Sequence, residues 1–216
     1  MNLILCSDRS TVRKRWQAAL SGQHEIFQAS VLRDLGILLR EAEPDLLLLH
    51  RTMMDLETAD RLCRDMAHCR LFVLSDRPDN DEGLALLRLG VVGYANTYIA
   101  PARLQEAVRV ILTGSVWVGQ QLMSHLIRTS LGGAKGTSRS PETAAGSRRD
   151  RILPELSNRE FQIASLVAQG LTNPQIAHRL EITERTVKAH LSAIYAKTGT
   201  RGRLNLALLL HGTEQG

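Results

Sequence analysis

Two basic side chains, Arg185 and Lys188, lie three residues apart in a stretch with small residues at Ala189, Ser192 and Ala196. At about 100° per residue, these five positions share one face of a helix. Guanidinium and ammonium groups donate hydrogen bonds to base edges, and small neighbours let a backbone approach DNA closely. The combination favours a helix that enters the major groove over an ordinary solvated basic surface.

The opposite face of the same stretch is apolar, with Val187, Leu191, Ile194 and Tyr195. A shorter helical pattern precedes it, and Leu180-Glu181-Ile182-Thr183 separates the two as a tight turn. Two helices joined in this way form a helix-turn-helix, in which the second helix reads DNA.

Capping signals give the helix boundaries. Ser157 and Glu160 have the spacing of a capping box, and Gly170 is expected to end that first helix. Thr172 begins the second helix, Thr183 caps the third, and a fourth is expected from about Gly202 to Leu210.

Residues from about 156 to 210 resemble the helix-turn-helix domain of the LuxR/FixJ/NarL regulators. The matching motifs include Leu156-Ser157-Asn158-Arg159-Glu160, Ala168-Gln169-Gly170-Leu171-Thr172-Asn173 and Thr186-Val187-Lys188-Ala189-His190-Leu191. The resemblance implies that Lys188 reads bases and that Thr186 and His190 lie at or near the DNA backbone. Ser192 departs from the family pattern, which often has a second basic residue there. The complete predicted DNA-binding set is Lys188, Arg185, Thr186, Ala189, His190, Ser192, Thr172, Asn173 and Lys197.

The charge distribution agrees with a DNA-binding C-terminal region. Residues 151–216 hold 8 basic and 5 acidic side chains, a net of +3, and residues 128–150 hold 5 and 2, also +3. Residues 1–127 hold 14 and 15, a net of −1. The positive charge is therefore concentrated where attraction to phosphates would use it.

The first 115 residues alternate apolar strand candidates with helix candidates. Strands are expected at Leu3–Cys6, Glu25–Ala29, Leu46–His50, Leu71–Leu74 and Val91–Tyr94; helices near Thr11–Leu20, Val31–Glu43, Asp55–Ala67, Asp81–Leu89 and Pro101–Thr113. Five βα units with apolar strands predict an α/β fold, a flavodoxin-like doubly wound parallel sheet whose site lies at the carboxyl ends of the strands.

The order and spacing of these units resemble a response-regulator receiver domain. The resemblance implies a carboxylate at the end of the third strand that accepts phosphate, an acidic pair after the first strand that holds Mg²⁺ and a lysine at the end of the fifth strand. This chain has His50, Ser7-Asp8 and Thr97 at those positions, with Ser75 and Tyr94 where the phosphoryl group would be sensed. One carboxylate binds Mg²⁺ poorly, so we expect a degenerate phosphoacceptor pocket with no metal and no cofactor.

The role of His50 has several readings. It could accept a phosphoryl group, respond to pH or bind a metal, but a polar residue bonded to a neighbour such as Asp8 is the favoured reading. Asp55 is a poor substitute acceptor, since it lies about five residues beyond the strand end, roughly 10 Å or more in an extended loop.

The sequence predicts two domains and a connection. Residues 1–118 form the receiver-like domain, 119–152 a linker helix of about Gly119–Leu131 and a Gly/Ser/Ala-rich tether, and 153–216 an all-α four-helix DNA-binding domain. Cys6, Cys63 and Cys69 lack metal spacing and are expected to be free thiols. No signal peptide or long apolar run appears, which predicts a cytoplasmic protein without membrane contact.

The predicted function is that of a sequence-specific, DNA-binding transcription regulator, not an enzyme, acting independently of aspartyl phosphorylation. It should bind double-stranded DNA as a homodimer, with Leu204, Ala207 and Leu208 at the contact. RNA polymerase and a partner regulator are further candidate partners. Two alternatives stay open: a conventional phosphorylation-controlled regulator with a non-standard acceptor, and an interaction module that sequesters a partner regulator.

Overall fold

A computed structural model describes residues 1–66, 69–119, 122–123 and 155–211. The chain divides into two compact units, residues 1–126 and 127–216. Of the predicted linker helix, residues 119, 122 and 123 are described, and the latter two are helical; the predicted tether lies outside the described residues. No helix among the described residues is long and apolar enough to cross a membrane.

The N-terminal unit is a parallel six-stranded sheet with the strand order β2-β1-β3-β4-β5-β6. Its strands are β1 (Asn2–Cys6), β2 (Glu25–Ala29), β3 (Leu46–His50), β4 (Arg70–Ser75), β5 (Gly93–Asn96) and β6 (Trp117–Val118). Its helices are α1 (Ser10–Leu20), α2 (Leu32–Glu41), α3 (Leu56–Asp65), α4 (Asn80–Leu89) and α5 (Pro101–Leu112), and a 3-10 turn follows β3 (Arg51–Met53). The predicted α/β fold with five βα units is confirmed.

The observed strands depart most from the predicted ones at β5 and β6. β5 begins two residues later than expected, at Gly93, so that Thr97 follows it directly. The sixth strand was not predicted, because two residues carry no detectable alternation; Trp117 N–H donates to the Val92 carbonyl at 2.8 Å.

Alternating residues of each strand face opposite sides of the sheet. Leu3, Leu5, Leu46, Leu48, Phe72 and Leu74 pack with α1 and α5 in one apolar cluster around Trp16 and Ile111. β3 is buried at all five residues, which explains the apolar run of its first four, all leucine.

Gly83 has a packing role inside α4. An added Cβ would lie 2.7 Å from both Leu122 Cδ2 and Tyr94 Cδ1. Leu122 is 4% exposed, so the chain after β6 packs closely over this glycine. A helix interior usually disfavours glycine, and close packing is the reason for it here.

The C-terminal unit contains four described helices, α6 (Asn158–Ala168), α7 (Asn173–Leu180), α8 (Glu184–Thr198) and α9 (Arg203–His211). Its core includes Ile163, Ile176, Val187, Ile194 and Leu206. The four predicted helices are confirmed, and Gly170 ends the first with a φ of +84°.

Candidate functional site

The start of α8 is fixed by its cap and its core face. Thr183 Oγ1 accepts a hydrogen bond from Thr186 N–H at 3.1 Å, as the sequence predicts. Val187 and Ile194 are fully buried and Leu191 is 6% exposed. Because these three side chains are in the core, the rotation of α8 about its axis is set by packing.

The opposite face of α8 carries the predicted DNA-binding side chains. Arg185 and Ala189 are exposed, while Lys188, His190 and Ser192 are half-buried. The Ser192 hydroxyl donates to the Lys188 carbonyl at 3.1 Å, so this side chain is partly engaged with its own helix. The arrangement presents Arg185 and Lys188 beside a small residue, which suits close approach to a groove.

The turn before α8 is held by the first helix of the domain. Glu181 has a left-handed φ of +53°, and Ile182 N–H donates to the Ala177 carbonyl at 3.0 Å. The Arg159 guanidinium donates to the Leu180 carbonyl at 2.8 Å. α6 therefore fixes the position at which the chain enters α8.

Two predicted DNA-binding residues stand at the start of α7. Thr172 is half-buried, and its N–H and hydroxyl both donate to Gln175 Oε1, at 2.8 and 3.0 Å. Asn173 is only 2% exposed, and its Oδ1 accepts from the Arg203 guanidinium at 3.5 Å. Its side chain therefore belongs to the interior of the domain, which removes it from the predicted contact set; a polar residue after a cap gave no local sign of this burial.

Lys197 also has an intramolecular partner. Its Nζ lies 2.7 Å from Glu160 Oε2, and the two side chains are 41% and 7% exposed. Sequence analysis placed Lys197 among the predicted DNA-binding residues. The fold joins it to a carboxylate 37 residues earlier.

The predicted dimer residues of α9 are accessible to different degrees. Leu204 and Ala207 are half-buried and Leu208 is 59% exposed, whereas Leu206 is fully buried. Leu206, which the apolar pattern had not singled out, is the residue that anchors α9 to the core.

The second candidate site lies at the carboxyl ends of β1, β3 and β4. His50 is fully buried, and its Nδ1 lies 2.9 Å from Thr52 Oγ1 and 3.1 Å from Ser7 Oγ. Its Nε2 lies 2.9 Å from Asp76 Oδ1, whereas Asp8 Oδ1 is 3.6 Å from Nδ1. The prediction that His50 bonds to a neighbour is confirmed, but Asp76 is its main acidic partner and Asp8 a distant one.

The carboxylate of Asp76 defines the histidine tautomer. The hydrogen bond from His50 lowers the pKa of Asp76 more than any other contact does. An ionised carboxylate can only accept, so we assign the ring proton to Nε2. In the neutral ring, Nδ1 then accepts from a hydroxyl of Ser7 or Thr52.

Asp76 also joins a surface cation to the pocket. Its Oδ2 lies 2.7 Å from the Arg9 guanidinium, which raises the pKa of Arg9. The sequence analysis included Ser75 in the pocket but not Asp76, the residue that follows it. An acidic residue directly after a buried parallel strand was the available signal.

Thr97 directly follows β5 and is a neutral residue at the position where a receiver domain is expected to have lysine. Its backbone N–H donates to the Ser75 carbonyl at 2.8 Å, and its carbonyl accepts from Trp16 Nε1 at 3.0 Å. Its buried hydroxyl is close enough to contribute to the lowered pKa of Asp76, but it makes no hydrogen bond of good geometry. The Trp16 and His50 rings meet edge to face, with centroids 6.2 Å apart.

Tyr94 is bonded to α4 and its cap. Its hydroxyl donates to Glu82 Oε2 at 2.5 Å and accepts from Asp79 N–H at 3.1 Å. Burial, followed by the contact with Glu82, raises the pKa of Tyr94 to about 12. Arg51, next to His50, donates to the other oxygen of Glu82 at 2.7 Å. These bonds hold the ring in the place where Leu122 packs.

The remaining candidates have structural roles. Asp55 Oδ1 caps α3 by accepting from Thr58 N–H at 2.7 Å, which lowers its pKa. None of the three cysteines, all of which are described, forms a disulfide, and burial raises the pKa of Cys6 and of Cys69 to about 12. No group of three or more potential metal ligands occurs within the described part of the chain.

Comparison with known proteins identifies both units. Residues 154–210 match the family described as bacterial regulatory proteins, luxR family. The nitrate/nitrite response regulator NarL of Escherichia coli K12 is 31% identical over 180 residues, covering 82% of this chain and 78% of that protein.

Solved structures share the two-domain fold. A structure of the RcsB response regulator of Salmonella typhimurium has a TM-score of 0.55 at 17% identity and covers 98% of this chain and 99% of its own. Another, of two RcsB dimers bound to two parallel DNAs, has a TM-score of 0.55 at 17% identity and covers 99% and 98%. The chain therefore belongs to the NarL-type response regulators that carry a helix-turn-helix domain of the luxR family.

Proposed function

We propose that this protein regulates transcription by sequence-specific binding of a homodimer to double-stranded DNA, without phosphorylation of an aspartate in its receiver-like domain. The observation that carries the DNA-binding part is α8, whose cap and buried face present Arg185 and Lys188 on the outside. The DNA-bound dimers of RcsB, which shares the fold, support the same reading.

Lys188 is assigned to base reading and Arg185 to the adjacent backbone or bases, with Thr186, Ala189, His190 and Ser192 around them. Thr172, at the start of α7, is retained as a backbone contact. Asn173 is left out because its side chain is buried.

The base-reading role is tested with Lys188→Ala. A DNA sequence selected from a random pool by the unmodified protein serves as the target. Loss of a base contact should weaken specific binding by about 1–3 kcal/mol and reduce the preference for the selected sequence over scrambled DNA. The affinity of Arg185→Ala for the same DNA is measured for comparison, because it removes the other basic side chain from this face of α8. Equal affinities of Lys188→Ala and unmodified protein for the selected sequence would refute the assignment.

Independence from phosphorylation rests on the groups that occupy the pocket. His50 is fully buried with both ring nitrogens in hydrogen bonds, so neither is exposed to a phosphodonor. Asp76 is engaged by His50 and Arg9, and no lysine stands at the Thr97 position. Phosphoryl transfer needs cations that neutralise the developing negative charge. The position of the lysine is neutral here, and the carboxylate of Asp76 adds a negative charge to the pocket.

This part is tested by intact-mass measurement after incubation with acetyl phosphate and Mg²⁺. A conventional response regulator is the positive control and should gain one phosphoryl group. We expect no mass increase for this protein. A stoichiometric phosphorylated species would instead support the alternative of a non-standard acceptor, and Asp55→Asn would then identify or exclude the only candidate outside the pocket that the sequence suggested.

Dimerisation is assigned to the exposed side of α9, at Leu204, Ala207 and Leu208. Leu208 is 59% exposed, so its apolar side chain is available to a second copy of the domain. Leu208→Glu should leave the core residue Leu206 in place but abolish cooperative binding to paired half-sites. Unchanged cooperativity would place the dimer contact elsewhere. RNA polymerase and a partner regulator remain predicted partners, and a sequestering module would be favoured if no DNA were selected.

A further inference from the structure

We propose that Lys197 is a positioning residue for α8, held by Glu160, and does not contact DNA. The inference rests on the proposed DNA-binding function and concerns which basic residues of α8 carry it. It reverses the prediction that placed Lys197 among the contacts.

The contact joins the last turn of α8 to the first turn of α6. Lys197 Nζ lies 2.7 Å from Glu160 Oε2, and the same oxygen accepts from Ser157 N–H at 2.7 Å. Ser157 Oγ in turn accepts from Glu160 N–H at 3.3 Å. Lys197 is therefore an additional member of the capping box that begins α6.

The neighbouring residue of α6 holds the opposite end of α8. Arg159 donates to the Leu180 carbonyl in the turn that leads into α8. Residues 159 and 160 thus fix both the entry to α8 and its last turn. Between them lies the outward face with Lys188, nine residues or about 13.5 Å along the axis from Lys197.

The burial of Glu160 makes the pairing costly to break. Its side chain is 7% exposed, so a carboxylate that lost Lys197 would be shielded from water with one fewer donor. The hydrogen bond from Lys197 contributes most to the lowered pKa of Glu160, which is about 2. A lysine that moved to a phosphate would leave this carboxylate behind.

The two roles of Lys197 predict opposite effects for the partner variant Glu160→Gln. Removal of a negative charge from a DNA-binding domain should strengthen attraction to phosphates if the domain's net charge is what matters. If Glu160 positions α8 through Lys197, the same substitution should weaken binding. Lys197→Met, which keeps most of the aliphatic chain, should weaken it to a similar extent.

The test measures the dissociation constant for the selected DNA over a series of salt concentrations, with the full chain. We expect Lys197→Met and Glu160→Gln each to weaken binding roughly three- to tenfold. The double variant should be no weaker than either single one. The slope of log K against log salt should stay unchanged in Lys197→Met, because no phosphate contact is lost, whereas a lost contact would lower it by about 1. Lys197→Arg should retain binding.

Far-UV circular dichroism at the binding temperature establishes that each variant is folded. If Glu160→Gln is not folded, the salt slope of Lys197→Met decides alone. A slope reduced by about 1, or tighter binding by folded Glu160→Gln, would overturn the positioning role while leaving the DNA-binding function intact. Absence of any selected DNA for the unmodified protein would overturn both.

Discussion

Replacement of Asp76 by alanine tests whether the pocket is a stabilised hydrogen-bond network and not an empty metal site. The substitution removes the acceptor of the fully buried His50 Nε2–H, 2.9 Å away, and the partner of Arg9 at 2.7 Å. In a vacant metal site, carboxylates repel one another, so removal of one of them would stabilise the protein. Here the loss should destabilise the N-terminal unit.

The size of the effect follows from the two contacts. A hydrogen bond to a charged group contributes about 1.5–3 kcal/mol, and its loss leaves a buried donor without a partner. The Arg9 side chain is 46% exposed, so solvent screening makes its ion pair a minor contribution. Asp76→Ala should therefore lower the free energy of unfolding by about 1.5–3 kcal/mol. Asp76→Asn keeps an oxygen that can accept from Nε2–H and should cost about 1 kcal/mol.

Tryptophan fluorescence isolates the relevant unfolding transition. Both tryptophans of the chain, Trp16 and Trp117, belong to the N-terminal unit, and Trp16 meets the His50 ring edge to face. Urea titration at neutral pH with excitation of tryptophan alone thus reports on this unit, and comparison of midpoints at equal slope gives the change in free energy. Arg9→Ala is the control for the exposed ion pair.

Three results would refute this reasoning. They are equal stability of Asp76→Ala and the unmodified protein, equal destabilisation by Asp76→Asn and Asp76→Ala, and a destabilisation by Arg9→Ala as large as that by Asp76→Ala. The pH dependence provides an internal check. Since folding lowers the pKa of Asp76, its contribution is present above the unfolded-state pKa and is lost as pH falls through the folded-state value. The difference between unmodified protein and Asp76→Asn should shrink accordingly in acid.

Two further predictions follow from packing and from ionisation. Gly83→Ala should destabilise the N-terminal unit by about 1–2 kcal/mol in the same urea assay, because overpacking against Leu122 and Tyr94 outweighs the gain in helix propensity; Gly36→Ala, where an added Cβ meets nothing within 4 Å, is the control and should not destabilise. In the C-terminal unit, folding lowers the pKa of Glu160 from 4.5 to about 2, so its contribution to stability is present above about pH 5 and declines as pH falls toward 2. The NMR amide resonance of Ser157, which donates to Glu160, should titrate well below pH 4; a midpoint at the ordinary value for glutamate would contradict the ion pair with Lys197.

The sequence by itself determined the features that depend on local periodicity and local caps. The five apolar strands and the helices between them follow from patterns of two and 3.6 residues, and Ser157, Thr172 and Thr183 mark helix starts because a cap acts within three or four residues. The outward face of α8 also follows, since the burial of Val187 and Leu191 sets where Lys188 and Arg185 lie.

Only the tertiary structure decided which polar groups meet. His50 and Asp76 are 26 residues apart, Glu160 and Lys197 are 37 apart, and Asn173 and Arg203 are 30 apart. Each pair forms because separate elements converge at a sheet edge or across a helical core, and no local pattern encodes the partner. The type and position of a residue could therefore nominate Lys197 and Asn173 for DNA and Asp8 for His50. The packing of distant segments instead pairs Lys197 with a buried carboxylate, places the Asn173 side chain in the interior and gives Asp8 a secondary place beside Asp76.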